Sequence, residues 1–105
     1  MALHEDIKAS LKEAMKGKEE VKLRVIRGLL TAFMNELVAT DRTPQDMLND
    51  EEALAVIKRS AKQRKESITQ YEAAGRDDLA GPEREELVVL ESYLGTDLGV
   101  GPLNL

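Results

Sequence analysis

The chain has 105 residues, a formal net charge of −5 and 42% apolar residues, with one Phe, two Tyr and neither Trp nor Cys. That length supports about one modest domain, its core must be aliphatic and built mostly from good helix formers, and without cysteine a disulfide framework or thiolate metal site is excluded. No stretch reaches the roughly 20 apolar residues of a membrane-spanning helix, and the start, MALHEDIKAS, lacks the pattern of a secretory signal, so a cytoplasmic, all-α protein is expected.

Leu3, Ile7, Leu11 and Ala14 or Met15 recur at spacings of three and four, which predicts a first helix from about Leu3 to Lys16 closed by Gly17. A second helix is predicted from about Glu19 to Thr40, with Ile26, Leu30, Phe33 and Leu37 along one stripe and Leu29 beside it. Gly28 lies inside that helix, either because another backbone approaches closely or because a glycine is merely tolerated there. The segment from Asp41 to Leu48 contains Pro44 and reads as a loop. Asn49 followed by Glu52 is the signature of a capping box, so a third helix starts there and runs to about Ala74, with Gly75 in the left-handed position beyond its end. Pro82, a favoured first-turn residue, opens a predicted fourth helix that ends at Tyr93 or Leu94 before Gly95. The expected architecture is an antiparallel bundle of about four helices over residues 1–94, with 95–105 a frayed, irregular tail.

The third helix carries the strongest functional signal. Its segment KRSAKQRK, from Lys58 to Lys65, places five of the chain's 15 cationic side chains in eight residues of an otherwise acidic protein. Local potential governs encounter more than net charge does, so this segment suggests a docking surface for a polyanion or an acidic partner. Leu54, Ile57, Ala61, Arg64, Ile68 and Tyr71 form one seam, in which Arg64 is the interruption. Arg64 has two readings: its methylenes cover the core while the guanidinium pairs with a carboxylate, or the packed side chain presents a bidentate donor to phosphate. Lys58, Lys62 and Lys65 fall on an adjoining face as one exposed row, which is either an ordinary solvated face or a contact for a sugar-phosphate backbone. Arg59 belongs to the same cationic cluster, and Lys22, Arg24 and Arg27 of the second helix would enlarge the patch if they faced the same way.

Catalytic machinery is not visible. The one histidine, His4, reads as a solvent-facing residue near the terminus, and neither histidine–carboxylate metal sites nor zinc sites with histidine or cysteine ligands can be assembled around it. There is no nucleophile elbow, no P-loop and no dinucleotide fingerprint. Asp50, Glu51 and Glu52 are explained by their place in a first helical turn. No catalytic residue, metal ligand or cofactor is assigned.

The run LRVIRGLLTAFMNE from Leu23 to Glu36, the run DEEALAVIKRSAKQRKESITQYEAAGRDDLA from Asp50 to Ala80, and ELVVLESYL from Glu86 to Leu94 resemble the YqeY-like proteins, a family related to the tail domain of the GatB subunit of tRNA-dependent amidotransferases. The resemblance covers roughly residues 3–94. It implies an all-α domain of about four helices, usually followed by a smaller helical domain that is not expected in this sequence, where Gly95 also stands in place of the usual proline. In the amidotransferases the tail helps to hold the tRNA and does no chemistry itself; an association with carbon–nitrogen ligase activity using glutamine as amido-N-donor is inherited from those larger enzymes. The motif positions carried over are Lys62, Gln63, Arg64, Glu66 and Ser67, then Gly75, Arg76 and Asp77, and the last three have an alternative role in terminating one helix and starting the next.

The expected function is therefore an accessory module of tRNA-dependent amidation that binds tRNA or an aminoacyl-tRNA complex. The candidate contacts are Lys58, Arg59, Lys62, Gln63, Arg64, Lys65 and Arg76. The alternative is a helical protein–protein adapter without a nucleic-acid ligand.

Overall fold

The computed structural model describes residues 2–98. It contains four α-helices, α1 (Leu3–Lys16), α2 (Glu20–Ala39), α3 (Asp50–Ala73) and α4 (Asp77–Leu98), and no strand among the described residues. The expected all-α class is what forms. Two compact units divide the chain at Met1–Val56 and Ile57–Leu105, so α3 contributes its first two turns to one and its remainder to the other.

In the first unit, a three-residue connection folds α2 back on α1. Ile7, Ile26, Phe33 and Leu37 are fully enclosed, joined by Leu3, Ala14, Val25, Leu29, Leu48, Ala53 and Val56. The stripe on α2 is centred slightly differently from the predicted one: Leu29 is 2% exposed, whereas Leu30 is half-buried. Gly28 is exposed, and a Cβ added there meets nothing within 4 Å, so it is the tolerated glycine and no backbone packs against it.

His4 corrects the sequence reading. It is only 7% exposed, lies against the Phe33 ring with centroids 4.7 Å apart, and its Nδ1 accepts the Leu48 backbone N–H at 2.9 Å. The helical register of α1 explains this, since residue 4 is one turn before the enclosed Ile7 and one residue after the buried Leu3. A second tie joins the same ends, where the Leu3 N–H donates to Asp50 Oδ1 at 2.8 Å and satisfies one of the first-turn amides that α1 leaves without an intrahelical partner.

Three helices end in the same way. After α1, α2 and α3 one residue takes the left-handed conformation: Lys18 (φ 54°), Asp41 (φ 61°) and Gly75 (φ 70°). The next amide then reaches back to the third-last helical turn position, Glu19 N–H to Ala14 O at 3.0 Å, Arg42 N–H to Leu37 O at 2.8 Å, and Arg76 N–H to Tyr71 O at 2.8 Å, which is the Schellman closure. Gly75 behaves as predicted. Gly17 does not take the special conformation, because the chain turns one residue later, at Lys18.

In the second unit, the rest of α3 and α4 run antiparallel, as their side-chain pairs show: Glu72 near the turn meets Arg84, Arg64 meets Glu83 and Glu86, and Lys65 meets Glu91. Ile57, Ala61, Ala80 and Leu90 are its enclosed apolar residues. α4 starts at Asp77, five residues before the predicted Pro82, and carries that proline inside. Pro82 has no N–H to give to the Asp78 carbonyl, a cost normally prohibitive in a helix interior. Here it falls in the second turn, after a start already fixed by the Gly75 closure and by Leu79 and Ala80 N–H bonds to the Arg76 carbonyl. The helix also runs past Gly95 to Leu98, so residues 95–98 are helical and not irregular; the rest of the expected frayed tail lies outside the described residues.

Candidate nucleic-acid interface

The cationic segment is helical throughout and belongs entirely to the second unit. On α3 the buried Ile57 and Ala61, with half-buried Arg64, Ile68 and Tyr71, mark the packed side. Lys58, Arg59, Lys62, Gln63 and Lys65 are exposed. At about 100° per residue, Lys58, Lys62 and Lys65 fall within about 60° of one another on the open side. Gln63 lies about 100° around the helix from Lys62 and Arg59 about 60° from it, so these two flank the row and do not extend it.

The spacing of four and three that defines the row continues to Thr69. Thr69 and Gln70, which the sequence reading did not single out, line a shallow depression together with Lys62, Lys65 and Glu66. Continuing the same periodicity one turn beyond the last lysine would have found Thr69.

Arg64 occupies a different environment. Its Nη2 is 3.1 Å from Glu86 Oε1 and its Nε is 3.4 Å from Glu83 Oε1. The second contact is an ion pair without hydrogen-bond alignment, since both atoms are buried and neither has a directed partner. Of the two readings, the structure matches the one in which the methylenes cover the core and the head group meets carboxylates. Lys65 Nζ approaches Glu91 Oε2 at 3.6 Å with 61% of its side chain exposed, a contact that solvent and salt weaken. Lys58 and Lys62 pair with no carboxylate among the described residues.

Arg76 is also drawn into local structure. Its Nε and Nη2 hold the two Asp78 oxygens at 3.0 and 2.9 Å, a fork that lowers the Asp78 pKa below its ordinary value and raises that of Arg76. Together with Gly75 this makes the Gly75–Arg76–Asp77 turn a helix-to-helix joint. Lys22, Arg24 and Arg27 belong to the first unit, whereas the lysine row belongs to the second.

Two of the three acidic residues at the start of α3, Asp50 and Glu52, are structural as well. Glu52 Oε1 accepts the Asn49 N–H at 3.0 Å while the Glu52 N–H donates to Asn49 Oδ1 at 2.8 Å, the reciprocal pair of a capping box. The Arg42 guanidinium grips both Glu52 oxygens at 3.0 and 2.7 Å and holds its carboxyl below the usual range. Among the described residues, no three metal-ligating side chains come together, and no helix is long and apolar enough to cross a membrane.

The sequence matches a known family and several proteins of that kind. The profile of the family described as "Yqey-like protein" matches residues 4–103. Relatives include the protein named "Altered inheritance of mitochondria protein 41, mitochondrial" from Vanderwaltozyma polyspora, 33% identical over 88 residues covering 84% of this chain and 46% of that protein. The proteins of the same name from Saccharomyces cerevisiae are 32% identical over the same shares, and that from Candida glabrata is 34% identical over 84% of this chain and 47% of its own length. The chain thus spans about half the length of these relatives.

Proposed function

We propose, from the premise that the chain belongs to the Yqey-like protein family, that it is a non-catalytic module which docks tRNA or an aminoacyl-tRNA complex through the open face of α3. One observation carries the reading: Lys58, Lys62 and Lys65 form an exposed row on a rigid helix, while the cations that would compete for the same role, Arg64 and Arg76, are committed to carboxylates. A preordered row of ammonium groups suits phosphates, because binding releases condensed counterions without ordering a loop. The association with glutamine-dependent carbon–nitrogen ligation is accordingly one of docking beside a partner enzyme. A cytoplasmic location belongs to the same proposal; since the yeast relatives bear a mitochondrial name, either compartment suits it.

The test is a tRNA titration at about 50 and 200 mM salt. Three phosphate contacts give a log–log slope of about −2.7, or on the order of 40-fold weaker binding across that range. Reversing the row with Lys58→Glu, Lys62→Glu and Lys65→Glu abolishes binding if the row is the contact; unchanged binding excludes this surface.

A second reading, a protein adapter, draws on α2, where Met34 and Val38 stand one turn apart at 42% and 56% exposed. Capture of a protein partner that survives nuclease treatment, and is lost on Met34→Asp with Val38→Asp, favours it over the first.

A further inference from the structure

Resting on the polyanion reading above, we infer that the α3 face recognises paired RNA by shape, holding phosphates with Lys58, Lys62 and Lys65 and meeting ribose 2′-hydroxyls with Glu66, Thr69 and Gln70. The first argument is what the face lacks. Unpaired nucleic acid is bound by stacking bases on aromatic rings, and this sequence has only three aromatic residues. Phe33 is enclosed in the first unit, Tyr71 lies half-buried on the packed side of α3, and Tyr93 is half-buried on α4. No ring lies on the lysine row, so no stacking platform is available there.

The second argument is what the face offers. From Lys58 to Lys65 the row covers about 10 Å of helix axis, the reach of about three consecutive phosphates of one strand. Beyond it, Glu66, Thr69 and Gln70 share the depression with Lys62 and Lys65. A continuous track of phosphates is repelled by the Glu66 carboxylate, whereas a hydroxyl donates to it. Thr69 Oγ1 donates its own proton to the Lys65 carbonyl at 3.0 Å, which leaves its oxygen as an acceptor. Gln70 supplies both donor and acceptor. Cations beside hydroxyl-matching groups on a shallow, rigid surface suit the wide minor groove of A-form RNA, where phosphates flank exposed 2′-hydroxyls. The same pattern disfavours DNA, which has no such donors.

The experiment is a fluorescence-anisotropy titration of the full chain with an RNA duplex of about 16 base pairs, a DNA duplex of the same sequence and single-stranded RNA of the same length. The expected result is binding to the RNA duplex about tenfold tighter than to either competitor. Thr69→Val with Gln70→Leu is expected to bring RNA affinity down to that for DNA and leave DNA binding unchanged, which also shows the variant folded. Single-stranded RNA binding as tightly as the duplex, or DNA as tightly as RNA, overturns the inference; if that binding still vanishes on reversing the three lysines, the docking reading survives. Failure of all three probes to bind at about 50 mM salt overturns both.

Discussion

Between α1 and α2 the enclosed side chains are large and numerous, with Phe33, Ile7, Ile26 and Leu37 all at 0% exposure, and polar ties are confined to the ends of elements. Between α4 and the α3 segment beside it, the enclosed described residues are Ile57, Leu90 and two alanines, and three groups of ion pairs lace the helices along their length. Apolar burial is non-directional and strong, about 25 cal/mol per Å²; half-exposed ion pairs are directional and weak, about 1 kcal/mol or less each. The first unit thus draws its stability from packing, while the second uses charge to fix which residues of α3 face α4. Alignment matters more there, because it keeps Arg64 turned inward and the lysine row turned out.

The strongest way to break this contrast is a cavity in the first unit. Phe33→Ala removes an enclosed ring and its contact with His4, at an expected cost of about 3–5 kcal/mol, read from the denaturant midpoint. Comparable denaturation curves for the variant and the parent would show that packing is not what holds this unit.

The next effect is of pH and separates the units by mechanism. Burial, and secondarily the charge of Lys8, lower the His4 pKa from 6.5. The unfolded chain therefore takes up the proton first as pH falls, so the contribution of His4 is complete above 6.5 and is lost as pH drops from there through the lowered value. Protonated Nδ1 can no longer accept the Leu48 N–H, and the loss falls on the first unit. Glu52, lowered from 4.5 chiefly by its bond to Arg42, loses its contribution in a separate, more acidic window. His4→Gln, which keeps an acceptor without an imidazole, should flatten the higher window and leave the lower one. Identical stability–pH profiles would show that His4 does not report on this unit.

Charge in the second unit predicts a smaller, salt-sensitive effect. Arg64→Met keeps the apolar stem over the core and removes the guanidinium, costing about 1 kcal/mol at low salt, and the cost should shrink in about 1 M NaCl, where exposed charges are screened within about 3 Å. A loss that does not respond to salt would mean that Arg64 acts through packing alone.

These contrasts also explain which features were legible in the sequence. Apolar periodicity located α1 through α3 closely, and the Asn49–Glu52 pair marked its helix start, because both signals are local. The beginning of α4 was not legible: Pro82 read locally as a first-turn residue, and only the closure at Gly75 with the Arg76–Asp78 fork shows that the helix has already begun. His4 was misread because its partners are Leu48, 44 residues away, and Phe33. In the candidate interface, the exposed lysine row was legible from spacing. That Arg64 pairs with a carboxylate was one of its two readings, but that the partners are Glu83 and Glu86 was not legible, since it depends on which carboxylates of α4 come opposite. The ends of α1 and α2 were legible, but their left-handed closures were not, because Lys18 and Asp41 take that position where a glycine would have announced it.

One substitution at two sites makes that last point quantitative. Neither Gly28 nor Gly75 has any atom within 4 Å of where a Cβ would stand, so replacing either with alanine changes no packing and isolates the backbone. Gly28 is in the middle of α2, where alanine is favoured by about 1 kcal/mol through the entropy glycine loses on folding. Gly75 is at φ 70°, where an L residue costs about 1–2 kcal/mol. Gly28→Ala should therefore raise the melting temperature and Gly75→Ala lower it, by changes of similar size and opposite sign. If both variants moved it in the same direction, the left-handed closure of α3, and with it the placement of the Arg76–Asp78 joint ahead of α4, would be wrong.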